Sequence, residues 1–586
     1  MRLAALLICV GAAWGGQSSE ALPGPALAVI EAELERSRSI RLAELEAPYF
    51  IEYTLEDVHS FSVSATLGAI ISKNQNRFRV PGVQVRVGGY DFDNTNYVLT
   101  DFFGRTGSAG GSVPLEDHPE ALRAYFWLAT DAAYKGALEA IARKRAAVKN
   151  LTVREETPDF WKTEPVRLLE PVNARTPDEA GWVERVRELS ALFRGYPAVF
   201  ASQVDYGGSL SVSHLVNTEG ARIQYPDPLH WTRARAEGQA GDGMPVRDAT
   251  TIVWQDVAAA PAAIELRRAV DEAARNVSAL VNAALGENYV GPVLFEGIAA
   301  PQLLAQLLGR NLSVPRRPVA EPGRTPPVEP SEFEDRLGSR VLPDWMDVAD
   351  DPTQAEWRGR RLLGHYRVDM EGVAGQPLTL VERGILQGFL LTRQPVKGAS
   401  GSNGRGRLPG AFGAKTASIS NLFVSASETV TASALRQKLI DLCRQRGKPY
   451  GLVVRKLDFP SSGDLREIRR MATGARQRGG SGRLVSRPLL VYRVLPDGTE
   501  ELVRGLEFRG VSARLLRDIV AASDESHLFE YLANTAPLSL AGVSGYVAGC
   551  SVVAPSLLFE EIELERSRDQ YPRPPAVPAP PLLAAR

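Results

Sequence analysis

Tyr289-Val-Gly-Pro-Val-Leu-Phe295-Glu296-Gly297-Ile298-Ala299-Ala300, running on into Gln302-Leu-Leu-Ala-Gln-Leu-Leu-Gly309, is a short apolar lead followed by a helix. Upstream of it, Ile264 to Leu285 has the spacing of an amphipathic helix, as has Pro177 to Leu192. Val199 to Val216 alternates like strands and ends at the turn signal Asn217-Thr-Glu-Gly220. Earlier still, Pro25 to Glu46 carries apolar residues at helical spacing. Tyr49 to Val87 is β-rich, in the stretches Tyr49–Thr54, Phe61–Ile71 and Val83–Val87. A turn by composition at 88–96 leads to a short strand at Tyr97, and Pro119 to Val148 predicts a long helix.

Downstream, Val314 to Pro330 is proline-rich and predicts an exposed loop. Strand-like runs dominate beyond it, at Leu378–Arg383, Leu489–Val494 and Gly542–Glu561, with helices expected at Ser433–Arg446 and near Ala513–Ala522. The tail from Tyr571 alternates Pro with Ala and predicts disorder. The pattern is α+β, with mixed N-terminal and central regions before a β-rich C-terminal domain. We divide it into a leader at 1–21, an N-terminal domain at 22–160, a central region at 161–285, a β-rich domain at 286–565 and a tail at 566–586.

At 586 residues the chain is too long for one hydrophobic core. Lys plus Arg number 68 and Asp plus Glu 69, a net charge of −1, so bulk charge gives no reason to expect nucleic acid as partner. Arg2 followed by the apolar Leu3–Ala13 reads as a signal segment, with Ser19 and Ala21 suiting cleavage before Leu22. That run is shorter than the ~20 apolar residues of a spanning helix, and no later run is longer. We therefore expect export to the periplasm or the extracellular space, with no integral segment after cleavage. Cleavage would leave Cys443 and Cys550, too few for a disulfide framework.

The chain has no phosphate loop, no dinucleotide fingerprint and no nucleophile elbow. Its six histidines never fall at the i, i+4 or i, i+5 spacing with which two imidazoles on one helix hold zinc. The arginine-rich run from Arg466 to Arg487 could bind an anion, but it lacks the aromatic residues that stack on bases.

The opening stretch resembles the corresponding segment of the TldD/PmbA family, also called modulator-of-gyrase or U62 peptidase-related proteins. Several further segments follow in the family's order. These are Val216-Asn-Thr-Glu-Gly-Ala-Arg222, Gly241–Asp248, Val341-Leu-Pro-Asp-Trp345, Glu382–Arg393, Ser402-Asn-Gly-Arg-Gly-Arg407 and Ile419-Ser-Asn-Leu-Phe423. In metal-bearing members this helix carries His-Glu-x-x-x-His, with a cysteine near the C-terminus as a further ligand. Matched residue by residue, the histidines fall on Phe295 and Ala300, the glutamate on Glu296 and the cysteine on Cys550. Phenylalanine and alanine offer no lone pair to a metal.

The resemblance is nearest to the metal-free PmbA/TldE-like type. It implies a partner or scaffold subunit, working with a metal-bearing TldD-like subunit or as a homodimer, in the proteolysis of peptides. No cofactor is expected on this chain, and zinc would arrive only through the partner. The implied peptide cradle is an edge strand at Phe389, Leu390, Leu391 and Arg393 with the loop at Ser402, Asn403, Arg405 and Arg407. His365 would stand beside it, and Glu296 keeps the catalytic position of the motif. Two alternatives stay open: a binding protein for peptides or glycoconjugates, and an active metallopeptidase using Cys550 with His365 or His527.

Overall fold

The computed structural model describes residues 24–42, 44–98, 112–149, 157–172, 177–319, 330–410, 414–463, 466, 468–471, 473, 484–534, 537–539 and 547–575. The signal segment, most of the arginine-rich run and the end of the tail lie outside them.

The first part of the chain forms α1 (Pro25–Ser37), β1 (Pro48–Thr66), β2 (Ala69–Val87), α2 (Pro119–Lys149), β3 (Arg167–Leu169), α3 (Glu179–Ala191), β4 (Ala201–Asn217), β5 (Arg222–Gln239), β6 (Pro245–Trp254) and α4 (Ala263–Asn282). Its six strands make one sheet in the order β2-β1-β4-β5, with β3 and β6 both on the far edge of β5. The regions expected as separate units at 22–160 and 161–285 therefore share a sheet, because β1 pairs with β4 from Glu52↔Asn217 to Ala65↔Val204. The expected short strands between Tyr49 and Ile71 are one 19-residue strand, turning through Leu67 and Gly68 with φ of 48° and 83°. Two successive positive φ values make the two-residue turn whose twist suits a hairpin. Helix α1 stops at Ser37 rather than Glu46.

Odd-numbered residues of β1 face the helices. Ile51, Tyr53 and Leu55 pack with Leu27, Ile30, Leu122 and Phe126 of α1 and α2. Phe61, Val63 and Ala65 pack with Trp182, Val186, Val270 and Val277 of α3 and α4. The even-numbered residues therefore look the other way, across the pleat. They are mostly small and polar: Glu56, Ser60, Ser62 and Ser64, opposite Ser213, Ser209, Gly207 and Asp205 of β4.

The rest of the chain forms β7 (Ala284–Leu285), β8 (Tyr289–Phe295), α5 (Ala299–Asn311), β9 (Met346–Asp350), β10 (Glu356–Trp357), β11 (Arg360–Arg361), β12 (Leu378–Glu382), β13 (Ile385–Leu386), β14 (Gly406–Pro409), β15 (Lys415–Ala417), β16 (Asn421–Ala426), α6 (Ala432–Gln445), β17 (Gly451–Leu457), β18 (Pro488–Val494), β19 (Glu500–Arg504), β20 (Leu506–Arg509), β21 (Ile519–Ala533) and β22 (Ala548–Arg566). The expected helix near Ala513–Ala522 is a 3₁₀ turn, Ala513–Asp518, that feeds straight into β21. Strand β22 is the common neighbour, pairing with β16, β8, β21 and β20.

Helix α5 is apolar nearly all round and buried on nearly every side, as such helices are. It packs with Val293 and Phe295 of β8 in the main core, whereas Leu294 of the same strand faces α6. Ion pairs join the two parts of the molecule: Lys456 to Asp248 at 2.9 Å, Arg393 to Glu219 at 2.7 Å and Arg367 to Glu170 at 2.8 Å. Cys443 and Cys550 are both free thiols in buried positions. No helix among the described residues is long and apolar enough to cross a membrane.

Candidate functional site

Strand β8 ends at Phe295, and Gly297, at φ 62°, turns the chain into α5. Phe295 and Ala300 have no exposed surface. The Phe295 ring lies 5.3 Å from Phe559 and 5.9 Å from Phe508, so the position is filled with carbon. Glu296 points elsewhere. Its carboxylate accepts from Nε and Nη2 of Arg436 at 2.7 and 2.9 Å and from Nε of Arg455 at 2.7 Å. Burial pushes its pKa upward, but those two guanidinium partners hold it below the usual carboxylate range.

The third matched position is not beside the other two. Phe295 pairs with Leu557 of β22, whereas Cys550, seven residues earlier in the same strand, pairs with Tyr531. At ~3.3 Å per residue that is roughly 20 Å of extended chain. The Cys550 thiol instead donates to the Ile419 carbonyl at 3.2 Å, with Ser418 Oγ at 3.6 Å and Arg407 Nη1 at 3.9 Å. Burial pushes its pKa up. A phenylalanine, an alanine, a carboxylate held by two arginines and a distant thiol do not fit a zinc ion, which takes three or four converging N, S or O ligands. The expected ligand positions are thus not gathered, and neither His365 nor His527 touches Cys550. His365 Nδ1 donates to the Pro352 carbonyl at 2.8 Å, and His527 Nε2 lies 3.4 Å from Ser556 Oγ.

The cradle segments do come together, but as interior structure. Phe389, Leu390 and Leu391 are buried and are not a strand. Most of their backbone groups are already used. Leu390 N donates to Leu312 O, Leu391 N to Asn403 Oδ1, and Asn403 Nδ2 to Phe389 O. That is not the open ladder edge on which an extended peptide adds a strand. Arg393 is fully buried, stacked 4.0 Å over Phe160, and bonds Glu219 and the Trp161 carbonyl. Arg405 is equally committed, pairing with Asp350 at 2.7 Å and donating to the carbonyls of Gln376 and Asn403. Its expected contact with a substrate carboxylate is closed off. Ser402 and Asn403 shape the loop, Ser402 Oγ accepting from Gly404 N at 3.4 Å.

Of this loop, Arg407 alone among its arginines keeps donors open. It is half-buried, lies 4.5 Å over the Tyr366 ring and donates Nη1 to Ile419 O at 2.6 Å. Tyr366 is held in turn by its own Oη, which donates to Gly404 O at 2.5 Å. Asp227 lies on the same face of the first sheet as Glu56, and Arg407 acts on it electrostatically. Asp227 is itself exposed, the protein around it and Glu56 push its pKa upward, and Arg407 opposes the rise. Glu56 accepts from Ser211 Oγ at 2.5 Å and Ser213 Oγ at 3.0 Å. Beneath the loop, Asp369 accepts three backbone N–H groups, from Glu371, Val373 and Gly406. Burial and the neighbouring Glu371 push its pKa upward.

Asp227 stands between Pro226 and Pro228. These prolines fall where the far edge of β5 is bare, since β3 pairs only as far as Gln224 and β6 starts at His230. A proline costs no ladder bond at an open edge. Sequence reading missed Glu56, Tyr366 and Asp227. The signal available was Tyr225-Pro-Asp-Pro228, a proline pair inside an otherwise strand-like run.

Residues 289–455 match the family profile described as PmbA/TldA metallopeptidase C-terminal domain. Among solved structures, TldE from Thermococcus kodakarensis is similar at 14% identity and a TM-score of 0.55, covering 92% of this chain and 100% of that one. A candidate modulator of a DNA gyrase from Thermotoga maritima gives 15% identity, 88% and 96% coverage and a TM-score of 0.53. Another, from Bacteroides thetaiotaomicron, gives 10%, 93%, 98% and 0.52. No curated protein matches the sequence. The structural likenesses carry the fold along nearly the whole chain, and the profile match begins at Tyr289, where the decisive stretch begins. Residues 289–455 thus form a domain of the PmbA/TldA metallopeptidase C-terminal kind, in a chain that shares its fold with these solved structures along nearly its whole length.

Proposed function

We propose that this chain is an exported, metal-free partner or scaffold subunit that takes part in the proteolysis of peptides beside a metal-bearing relative. The observation that carries this reading is the replacement of both helix histidines by Phe295 and Ala300, each without exposed surface and packed in the main core. Such positions give zinc neither ligands nor room. The likeness to a TldE structure over that protein's full length supports the same reading. In this scheme the partner brings the zinc and its activated water, and this chain supplies walls and substrate contacts. Export rests on the N-terminal apolar run Leu3–Ala13.

Co-expression with a metal-bearing family member tests the proposal. The expected result is a complex that survives size exclusion and cleaves an unstructured peptide pool in a chelator-sensitive way, while this chain alone does not. Near-stoichiometric zinc and chelator-sensitive cleavage by the isolated chain would overturn it. N-terminal sequencing of the protein from the exported fraction should begin at Leu22.

A further inference from the structure

Buried polar atoms in a folded chain nearly always find a partner. His230 does so with only one of its two ring nitrogens. Cross-strand register sets it on the same face as Phe61 and Trp254, which belong to the core with α3 and α4, and it is 2% exposed. Nδ1 lies 3.1 Å from Tyr206 Oη, while Nε2 has no partner among the described residues. The ring stacks on Trp254 at 5.7 Å, and Trp182 lies 5.5 Å from Trp254 and 3.9 Å from Tyr206. Gly208, opposite His230 on β4, permits this packing, because a methyl group there would overlap Tyr206 Oη and His230 Nδ1.

A neutral imidazole suits this setting and an imidazolium does not. In the protonated ring both nitrogens are donors, so the Nε2–H would be left unpaired. The Trp254 face attracts a cation, but more weakly than water does. Neighbouring charges give little help. From β4 comes the neutral Tyr206, and from the turn after β6 the exposed Asp256. On α3, Arg185 stands 5.0 Å over Trp182, and both it and Glu179 act on Tyr206. Helix α4 turns Leu266 and Val270 to this core and leaves Glu265, Arg267 and Arg268 exposed. The second part of the molecule adds Leu490, Tyr492 and Leu502. Burial accordingly holds the His230 pKa below the usual histidine value, with Asp256 opposing. The same spot is a joint. Directly after Trp254, Gln255 Nε2 donates to Leu363 O at 3.3 Å, and Asp256 lies 3.8 Å from Arg361. That segment leads on to Tyr366, whose ring lies under Arg407.

We propose that His230 is an acid-operated latch, whose protonation drives Trp254 out of the aromatic stack and frees the end of β6 from Leu363 and Arg361. The latch does not depend on the partner role proposed above. In the closed form the ring is neutral, and in the open form it can take a proton from solvent, so the closed form binds the proton less tightly. The stability it contributes is therefore complete above about pH 6.5 and is lost as pH falls through the lowered value. Each opening takes up one proton in that window, so the opening constant should rise about tenfold per pH unit.

Hydrogen exchange of the full chain, corrected for its intrinsic pH dependence and followed from about pH 7.5 to about pH 5, tests this. Protection of the amides of 250–257 should be constant above about pH 6.5 and fall about tenfold per pH unit below it, with far-UV circular dichroism unchanged. Tryptophan emission of the parent should shift to the red over the same window, and Trp254→Phe should remove most of that shift. His230→Gln, polar but unable to titrate, should keep its protection constant throughout. His214→Gln, which removes the other buried histidine of this sheet, should keep the acid response. Should His230→Gln fail to fold, the parent decides alone, since protection or tryptophan emission that does not change with pH overturns the proposal. An acid response that persists in His230→Gln, or one that disappears in His214→Gln, would overturn it equally.

Discussion

Asp350 and Arg405 meet at 2.7 Å, and neither side chain has any exposed surface. Asp350 also accepts Ser420 N at 2.8 Å and Ser420 Oγ at 2.5 Å, so the pair pins the loop to the start of β16. Removing one partner leaves a buried charge unmatched, which costs about 3–5 kcal/mol. Arg405→Ala should therefore lower the denaturant midpoint strongly. Urea unfolding checks it, and a midpoint within error of the parent would mean that Arg405 serves a ligand instead.

Restoring the two histidines should not restore a metal site. In Phe295→His/Ala300→His the imidazoles would replace a ring packed on Phe508 and Phe559, while Cys550 stays seven residues away along β22. The expected result is zinc well below one equivalent by mass spectrometry and a stability loss of about 3–5 kcal/mol. Stoichiometric zinc in that variant would show that a third ligand is closer than the register implies.

Gly364 lies against the Ser420 carbonyl so closely that a methyl group there would overlap it. Gly364→Ala should displace the segment carrying His365 and Tyr366, at a cost of about 1–3 kcal/mol. Thermal unfolding checks it, and a melting temperature within error of the parent would mean that the Gly364–Tyr366 segment yields without loss of packing.

Much of the fold could be read from the chain because its periods are clean. The helices at Pro119, Glu179, Ala263 and Ala432 lie within a few residues of their expected starts. The β1–β2 hairpin was misread because its turn uses Leu67, a residue with no preference for positive φ. The shared sheet of the first part was invisible for another reason, since β1 and β4 are joined only by pairing across a long stretch of sequence. At the site, spacing indicated the 402–407 loop but not which arginine faces inward. That depends on Asp350, which sits far back in the chain and claims Arg405. Asp227 belongs to a different part of the sequence from Arg407, and no local pattern links them.

Strand β22 also sets the timetable of folding. Four strands border it, and all four leave the ribosome before it does. Until Ala548–Arg566 appears, β8 and β16 each lack a flanking strand, and α5 lacks a wall of its core. The first sheet needs no residue beyond Trp254 and can close much earlier, whereas the second must hold open edges until Ala548–Arg566 has been made. Such waiting edges invite pairing with other chains. A nascent chain stalled just before Ala548 should therefore be the form that most needs a chaperone, a burden that the finished protein no longer shows.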